Sequence, residues 1–306
     1  FEEKRKSSNV KYLLKEMKYV LFWIVGLVCI DACWATSCRL TTEDGSLRFS
    51  KNCDAPSEGV NAKVEDEGSW KLYVDDITPR QAIMGFGAAW TDATVTVFDM
   101  LNDTTRQDVM RELFDHENSN VSLGLTLMRH TIGQSDLTPP TIGEWSYDNV
   151  TEPDVNLTHF CLQHPGERMV YYLKQMREIA KRNITLFGSP WSPPQWMKQD
   201  NKIAEQYKSN WVDYMIKYLE MFQKMGVQVD AMTPQNEPLH SADNAWTMYM
   251  DANTQVELVN RLSSEISNRG LSTKIWGYNH NTDNLDYPQQ VLDSCDDVST
   301  IAWHCT

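Results

Sequence analysis

Ile184-Thr185-Leu186-Phe187-Gly188, followed by Trp211, Met215, Leu219 and Phe222 and closed by Val229-Asp230-Ala231-Met232-Thr233, is the stretch that decides the fold. The first and last runs are short and apolar, as in parallel strands buried on both faces. Between them, apolar residues recur every three to four positions over residues 210–225, and Gly226 follows at the usual C-terminal stop of a helix. Strand, helix and strand without a hairpin signal predict a parallel α/β unit.

The same unit recurs along the chain. Strand candidates lie at 81–86, 124–130, 184–188, 229–233, 273–278 and 298–304. Helical stripes separate them: Val109, Met110, Leu113 and Phe114 in 103–114, then Met169, Val170, Leu173, Met176 and Ala180 in 166–182. The last helix is predicted to open on Thr254-Gln255-Val256-Glu257, a capping box, and carries Val259, Leu262 and Ile266. Six β units are legible where a (β/α)8 barrel has eight, so the reading is an incomplete TIM barrel whose remaining two units are expected beyond Thr306. The alternative is an open doubly wound sheet. Against it, Gly85-Phe86-Gly87 has Trp90 where the third glycine of a dinucleotide turn belongs.

Residues 1–35 are set apart from the fold. Met17-Lys18, the apolar run from Tyr19 to Ile30 and the small-residue exit at Ala35 read as a secretory signal peptide, too short for a stable membrane span. The expected location is therefore secreted or extracellular, or lysosomal or vacuolar. Residues 36–80 are polar and turn-rich and predict the N-terminal part of a small β-rich side domain, with 81–306 as the barrel. Cys38 and Cys53 flank a turn-rich stretch that a disulfide would staple. N-x-S/T sequons stand at Asn102, Asn120, Asn149, Asn156 and Asn183, of which Asn149 and Asn156 are the expected glycan sites. With 28 Lys and Arg against 42 Asp and Glu the net charge is −14, which excludes nucleic acid and an anionic membrane surface as main partners.

Barrel sites form at the C-terminal ends of the strands. There the sequence places Trp90-Thr91-Asp92, Gln134-Ser135-Asp136, Trp191 to Trp196, Asn236-Glu237, Asn279-His280 and His304. Carboxylates, amides and aromatic rings with few basic residues suit a neutral polyhydroxylated ligand. Glu237 is the sharpest element. Cleavage of a glycosidic bond needs a proton donor on the leaving oxygen, and a glutamic acid sheltered by Trp and Pro is suited to hold that proton. The amide of Asn236 is placed to bind a sugar 2-hydroxyl. Arg129 reads equally as a site residue or as an ion-pair partner at the rim. The seven histidines lack a metal-binding spacing and no G-x-S-x-G elbow occurs, so neither a metal nor any other cofactor is expected.

Four segments in order, Gly85 to Ala93, Leu127 to His130, Ser189 to Lys198 and Thr233 to Pro238, resemble glycoside hydrolase family 30, the glucosylceramidase family. The resemblance runs from about Tyr73 to the end of the chain. It implies a retaining β-glycosidase on a TIM barrel with a β-rich side domain. It makes Glu237 the acid/base and suggests that Arg129, Asp136, Trp191, Asn236 and His304 line the subsite for the cleaved sugar. It puts the nucleophile, a second Glu, at the end of a seventh strand beyond Thr306, so the chain alone is expected to be inactive. Asn279 departs from the aspartate common in that family. The expected partner is a β-glucoside, with glucosylceramide the first reading and a β-1,6-glucan the alternative. A non-catalytic carbohydrate-binding barrel is the rival of another class.

Overall fold

The computed structural model describes residues 77–118, 122–240, 242 and 244–304. The chain divides after Pro79, and the described fold is the second unit, Arg80–Thr306. The signal segment, the side-domain strands, Cys38, Cys53 and Asn120 lie outside the described residues. No helix among the described residues is long and apolar enough to cross a membrane.

The second unit is built on one parallel six-stranded sheet in the order β1-β2-β3-β6-β7-β8. Its strands are β1 (Ala89–Trp90), β2 (Leu127–Ile132), β3 (Thr185–Pro190), β6 (Ala231–Met232), β7 (Lys274–Asn281) and β8 (Val298–His304). Apart from the inserted hairpin β4–β5 below, sequential strands are neighbours, the arrangement of a (β/α)8 barrel. Register runs Gly188 to His130 on one side and to Met232 on the other. Alternation then splits the faces. His130 turns outward and stacks on Phe222, while Phe187 and Trp276 meet at 4.9 Å on the opposite face.

Six α-helices cover the outer face: α1 (Asp92–Met100), α2 (Asp103–Phe114), α3 (Gln163–Ala180), α4 (Lys208–Lys224), α5 (Ala252–Asn268) and α6 (Asp286–Ser294). The predicted stripes are the buried faces. Leu173, Met176, Trp211, Met215 and Phe222 are all fully buried. Each buried aromatic ring removes about 150–250 Å² from water, roughly 4–6 kcal/mol of gross transfer free energy. Between β2 and α4, Tyr147 stacks on Tyr218 with centroids 6.1 Å apart, tying the loop after β2 to the helix before β6.

Several boundaries differ from the sequence reading. Residues 81–86 are not a strand. Pairing instead begins where Phe86 O accepts Thr126 N (2.9 Å) and Ala88 O accepts Arg129 N (3.1 Å). The cap of helix α5 lies three residues before the predicted box. Asp251 is the cap and takes Thr254 N at 2.9 Å, and the Thr254 hydroxyl itself donates to Asp251, so Thr254 belongs to the first turn. A short antiparallel hairpin, β4 (Lys198–Gln199) and β5 (Lys202–Ile203), follows β3 where none was expected. Its turn residues Asp200 (φ 51°) and Asn201 (φ 54°) are both left-handed, which Asp and Asn tolerate best after glycine.

Candidate active site

The C-terminal ends of β2, β3, β6, β7 and β8 converge on Glu237. Each strand delivers an inward residue at period two: Arg129 from β2, Ser189 from β3, Asn279 from β7 and His304 from β8, with Thr233 directly after β6. The backbone is unusual here. Glu237 (φ 46°), Tyr278 (φ 66°) and Asn279 (φ 71°) are all left-handed, and Glu237 N donates to Asn279 O at 2.9 Å. Register shifts along β7 at Ile275/Gly277 and Tyr278/His280 turn Asn279 into the site.

Polar side chains form one connected network. Glu237 Oε1 lies 3.1 Å from His304 Nδ1, and His304 Nε2 lies 2.7 Å from Asn279 Oδ1. Asn279 Nδ2 donates to Ser189 Oγ at 2.6 Å and to Thr233 Oγ1 at 2.8 Å. Arg129 donates to Ser189 Oγ (3.1 Å) and to Asn236 Oδ1, and its guanidinium lies 4.6 Å over the Trp191 ring. Asn236 is fixed in turn by its amide N–H to Pro190 O at 2.7 Å. Both ends of the network are therefore held from several strands, so each polar atom is placed before any ligand arrives.

The electrostatics follow from burial. Burial draws the Arg129 guanidinium down to about 10, while the carboxylates of Glu237 and Asp136 pull the other way. Burial, then the charge of Arg129, lowers His304 below the ordinary imidazole range against the upward pull of Glu237. His304 is thus a neutral imidazole near neutral pH, and since its Nε2–H donates to Asn279 Oδ1, its Nδ1 accepts a hydrogen bond from Glu237 when that carboxyl carries its proton. Glu237 keeps 32% of its side chain exposed, so a ligand in the cleft reaches its carboxyl. The shelter expected from Trp and Pro is partial, and the nearest partner is the imidazole.

Of the residues expected in the site, Glu237, Asn236, Arg129, Trp191 and His304 come together. Arg129 forms no ion pair among the described residues, so its role as a structural pairing partner is not the one it plays. Asp136 is exposed and makes no hydrogen bond among the described residues. It bears on the site only through its charge on Arg129. Asp92, read as a rim carboxylate, is the buried first residue of α1 and accepts from Ser135, Thr138 and Trp145. Trp196 is packing, its indole N–H on Asp148 at 2.9 Å. Ser189, Thr233 and Asn279 were missed as a set. The signal was their common place, within the last three residues of β3 and β7 and one residue beyond β6.

The chain is similar to known proteins over most of its described length. The profile of the Glycosyl hydrolase family 30 TIM-barrel domain matches residues 83–297. An endo-1,6-beta-D-glucanase of Trichoderma harzianum is 39% identical over 275 residues, 80% of this chain and 54% of that protein. A putative glucosylceramidase of Caenorhabditis elegans is 29% identical over 206 residues, 63% of this chain and 38% of that protein. The solved structure of an endo-beta1,6-glucanase superposes with a TM-score of 0.65 at 25% identity, over 74% of this chain and 52% of that one. The chain thus spans about half the length of the glucanases it matches.

Proposed function

The chain belongs to glycosyl hydrolase family 30, and on that premise we propose that it is the acid/base-bearing part of a retaining β-glycoside hydrolase acting on a β-1,6-linked glucan. The observation that carries the reading is Glu237: a partly exposed carboxyl at the mouth of the barrel, hydrogen-bonded to a neutral His304 and flanked by Asn236 and Trp191. In the first step Glu237 gives its proton to the departing glycosidic oxygen, and the developing oxocarbenium charge is met by the nucleophile, which the family resemblance assigns to a later strand of the barrel. In the second step Glu237 takes a proton from water as the water oxygen bonds to the anomeric carbon and the bond from that carbon to the nucleophile breaks, which frees the sugar and returns both carboxyls to their starting states. Asn236 Oδ1 is held by Arg129, which leaves its amide hydrogens for a sugar hydroxyl.

Glucosylceramide, the first sequence reading, uses the same two carboxyls. The glucan is favoured by the higher identity and longer overlap with the Trichoderma glucanase. A secretory route, read from the segment ending at Ala35, fits a polymeric substrate outside the cell. The test compares a linear β-1,6-glucan, glucosylceramide and an activated aryl β-glucoside in the full-length protein, with and without Glu237→Gln. Glucan hydrolysis is expected to fall about 10²–10⁴-fold in the variant, with a much smaller loss on the activated substrate, which needs no proton. Equal losses on both would make Glu237 a structural residue. Turnover of glucosylceramide alone would move the substrate to the lipid. No turnover of any of the three, with sugar binding intact, would favour the binding protein.

A further inference from the structure

The loop between β2 and α3 carries three ligand-type side chains that the sugar chemistry does not use. Asp148, Asp154 and His159 each bring one donor atom to a common spot, and these atoms lie within 4.8 Å of one another. Asp148 is fully buried at 0% exposure and Asp154 nearly so at 9%. Asp148 Oδ2 accepts the Trp196 indole N–H, but its Oδ1 is buried with no hydrogen-bond partner. A buried carboxylate oxygen without a donor, close to a second carboxylate, is costly unless a positive charge sits between them. The nearby lysine does not fill that role, since Lys217 Nζ donates to Leu157 O at 3.1 Å and makes no ion pair with either aspartate.

We propose that Asp148, Asp154 and His159 together hold one divalent cation of the kind that accepts both carboxylate and imidazole, Zn²⁺ or Mn²⁺, and that this ion fastens the β2–α3 loop to Trp196 in the loop after β3. Donor atoms within 4.8 Å of one another need to draw in to about 3.3–3.6 Å to share one tetrahedral ion with bonds of about 2.0–2.2 Å, a shift that side-chain rotation of the exposed His159 supplies. His159 Nδ1 lies 2.9 Å from Asp154 Oδ2, a hydrogen bond that the ion would replace with the loss of its proton. The imidazole favours Zn²⁺ or Mn²⁺ over Ca²⁺ and Mg²⁺, which take oxygen sets. The site is structural. It is distinct from Glu237 and leaves the proton chemistry unchanged. Its spacing, five residues and then four between ligands, follows no familiar metal motif, so the sequence reading found no metal.

The test is calorimetric titration of the chelator-treated full chain with Zn²⁺, Mn²⁺ and Ca²⁺, with thermal unfolding in parallel. The expected result is one site per chain for Zn²⁺ or Mn²⁺ and a raised melting temperature. Asp154→Asn and His159→Ala are expected to weaken binding about 100-fold or more and to abolish the thermal shift. The His159 side chain is 67% exposed, so His159→Ala keeps the fold and isolates the ligand effect. No binding, or binding that His159→Ala leaves unchanged, overturns the proposal. So does Ca²⁺ binding as tightly as Zn²⁺ and Mn²⁺. A chelator-insensitive melt together with a harmless Asp148→Asn would show that a proton, not a metal, settles the buried oxygen.

Discussion

Asp92 offers the most direct test of how the cleft is held in shape. Its carboxylate is fully buried. Oδ1 accepts from Ser135 Oγ at 2.8 Å, and Oδ2 from Thr138 Oγ1 at 2.5 Å and Trp145 Nε1 at 3.1 Å. All three donors belong to the loop that leaves β2 and carries Asp136. A hydrogen bond to a charged group is worth about 1.5–3 kcal/mol, so three sum to roughly 4.5–9 kcal/mol. Two offsets reduce that sum. The hydroxyls of Ser135 and Thr138 can turn to other acceptors, and removing a buried charge recovers part of its desolvation cost. The indole N–H cannot turn. We expect Asp92→Ala to cost about 4 kcal/mol, a large share of the 5–15 kcal/mol typical of a domain. Asp92→Asn, which keeps the volume but points an N–H at a donor, should cost about 2 kcal/mol. Urea unfolding followed by tryptophan fluorescence measures both as the midpoint shift multiplied by the slope. If Asp92→Asn stays within about 0.5 kcal/mol of the parent, the carboxylate is not what holds the loop.

Two further outcomes follow from the layer behind the site. Burial, with Arg177 and Arg129 adding, holds His130 down to about 3 from an ordinary value near 6.5, so the unfolded chain takes up a proton that the folded one refuses as pH drops through that window. Stability is therefore complete above pH 6.5 and falls by up to about 1.4 kcal/mol per pH unit below it. His130→Gln should flatten that slope in urea midpoints compared at pH 7 and pH 5, and an unchanged slope would assign the acid sensitivity to other groups. At Gly188 an added Cβ would lie 2.4 Å from Tyr218 Oη and 3.0 Å from both His130 Nε2 and Ile132 Cδ1. Gly188→Ala should therefore destabilise by about 1–3 kcal/mol in a thermal melt. A neutral result would mean that α4 can move away from the sheet.

The barrel was legible because burial on both faces leaves uninterrupted apolar runs and packed helices leave a 3.6-residue stripe. The run at 298–304 coincides with β8, and Trp211 and Phe222 are both buried as their stripe predicts. Boundaries were less legible where polar contacts decide them. Asp251 outcompetes Thr254 as the cap because its carboxylate reaches the Thr254 amide. Helix α1 went unread because Asp92 looked like a rim carboxylate. Only the fold shows that Ser135, Thr138 and Trp145, more than 40 residues away, claim it. In the site, Glu237, Asn236 and His304 were readable from their place at strand ends. The Ser189–Thr233–Asn279 cluster was not, since no local pattern marks hydroxyls that meet across three strands. Asp148 was silent for the same reason. Its isolation is a property of the folded loop, not of its neighbours in the chain.

The left-handed backbone at Glu237 and Asn279 has a consequence for any attempt to toughen this protein. A side-chain-bearing residue held in that conformation costs of order 1–3 kcal/mol, so two adjoining strands carry tension at the very spot where a proton is to be handed over. Glycine at 237 would let the chain rest and raise the melting point, whereas at 279 that relief is outweighed by the lost side-chain bonds to Ser189, Thr233 and His304. At 237 it would delete the donor, and at 279 it would release His304. Ruggedness and reactivity thus compete at Glu237, and directed evolution for heat tolerance should find an easy gain there and lose turnover with it.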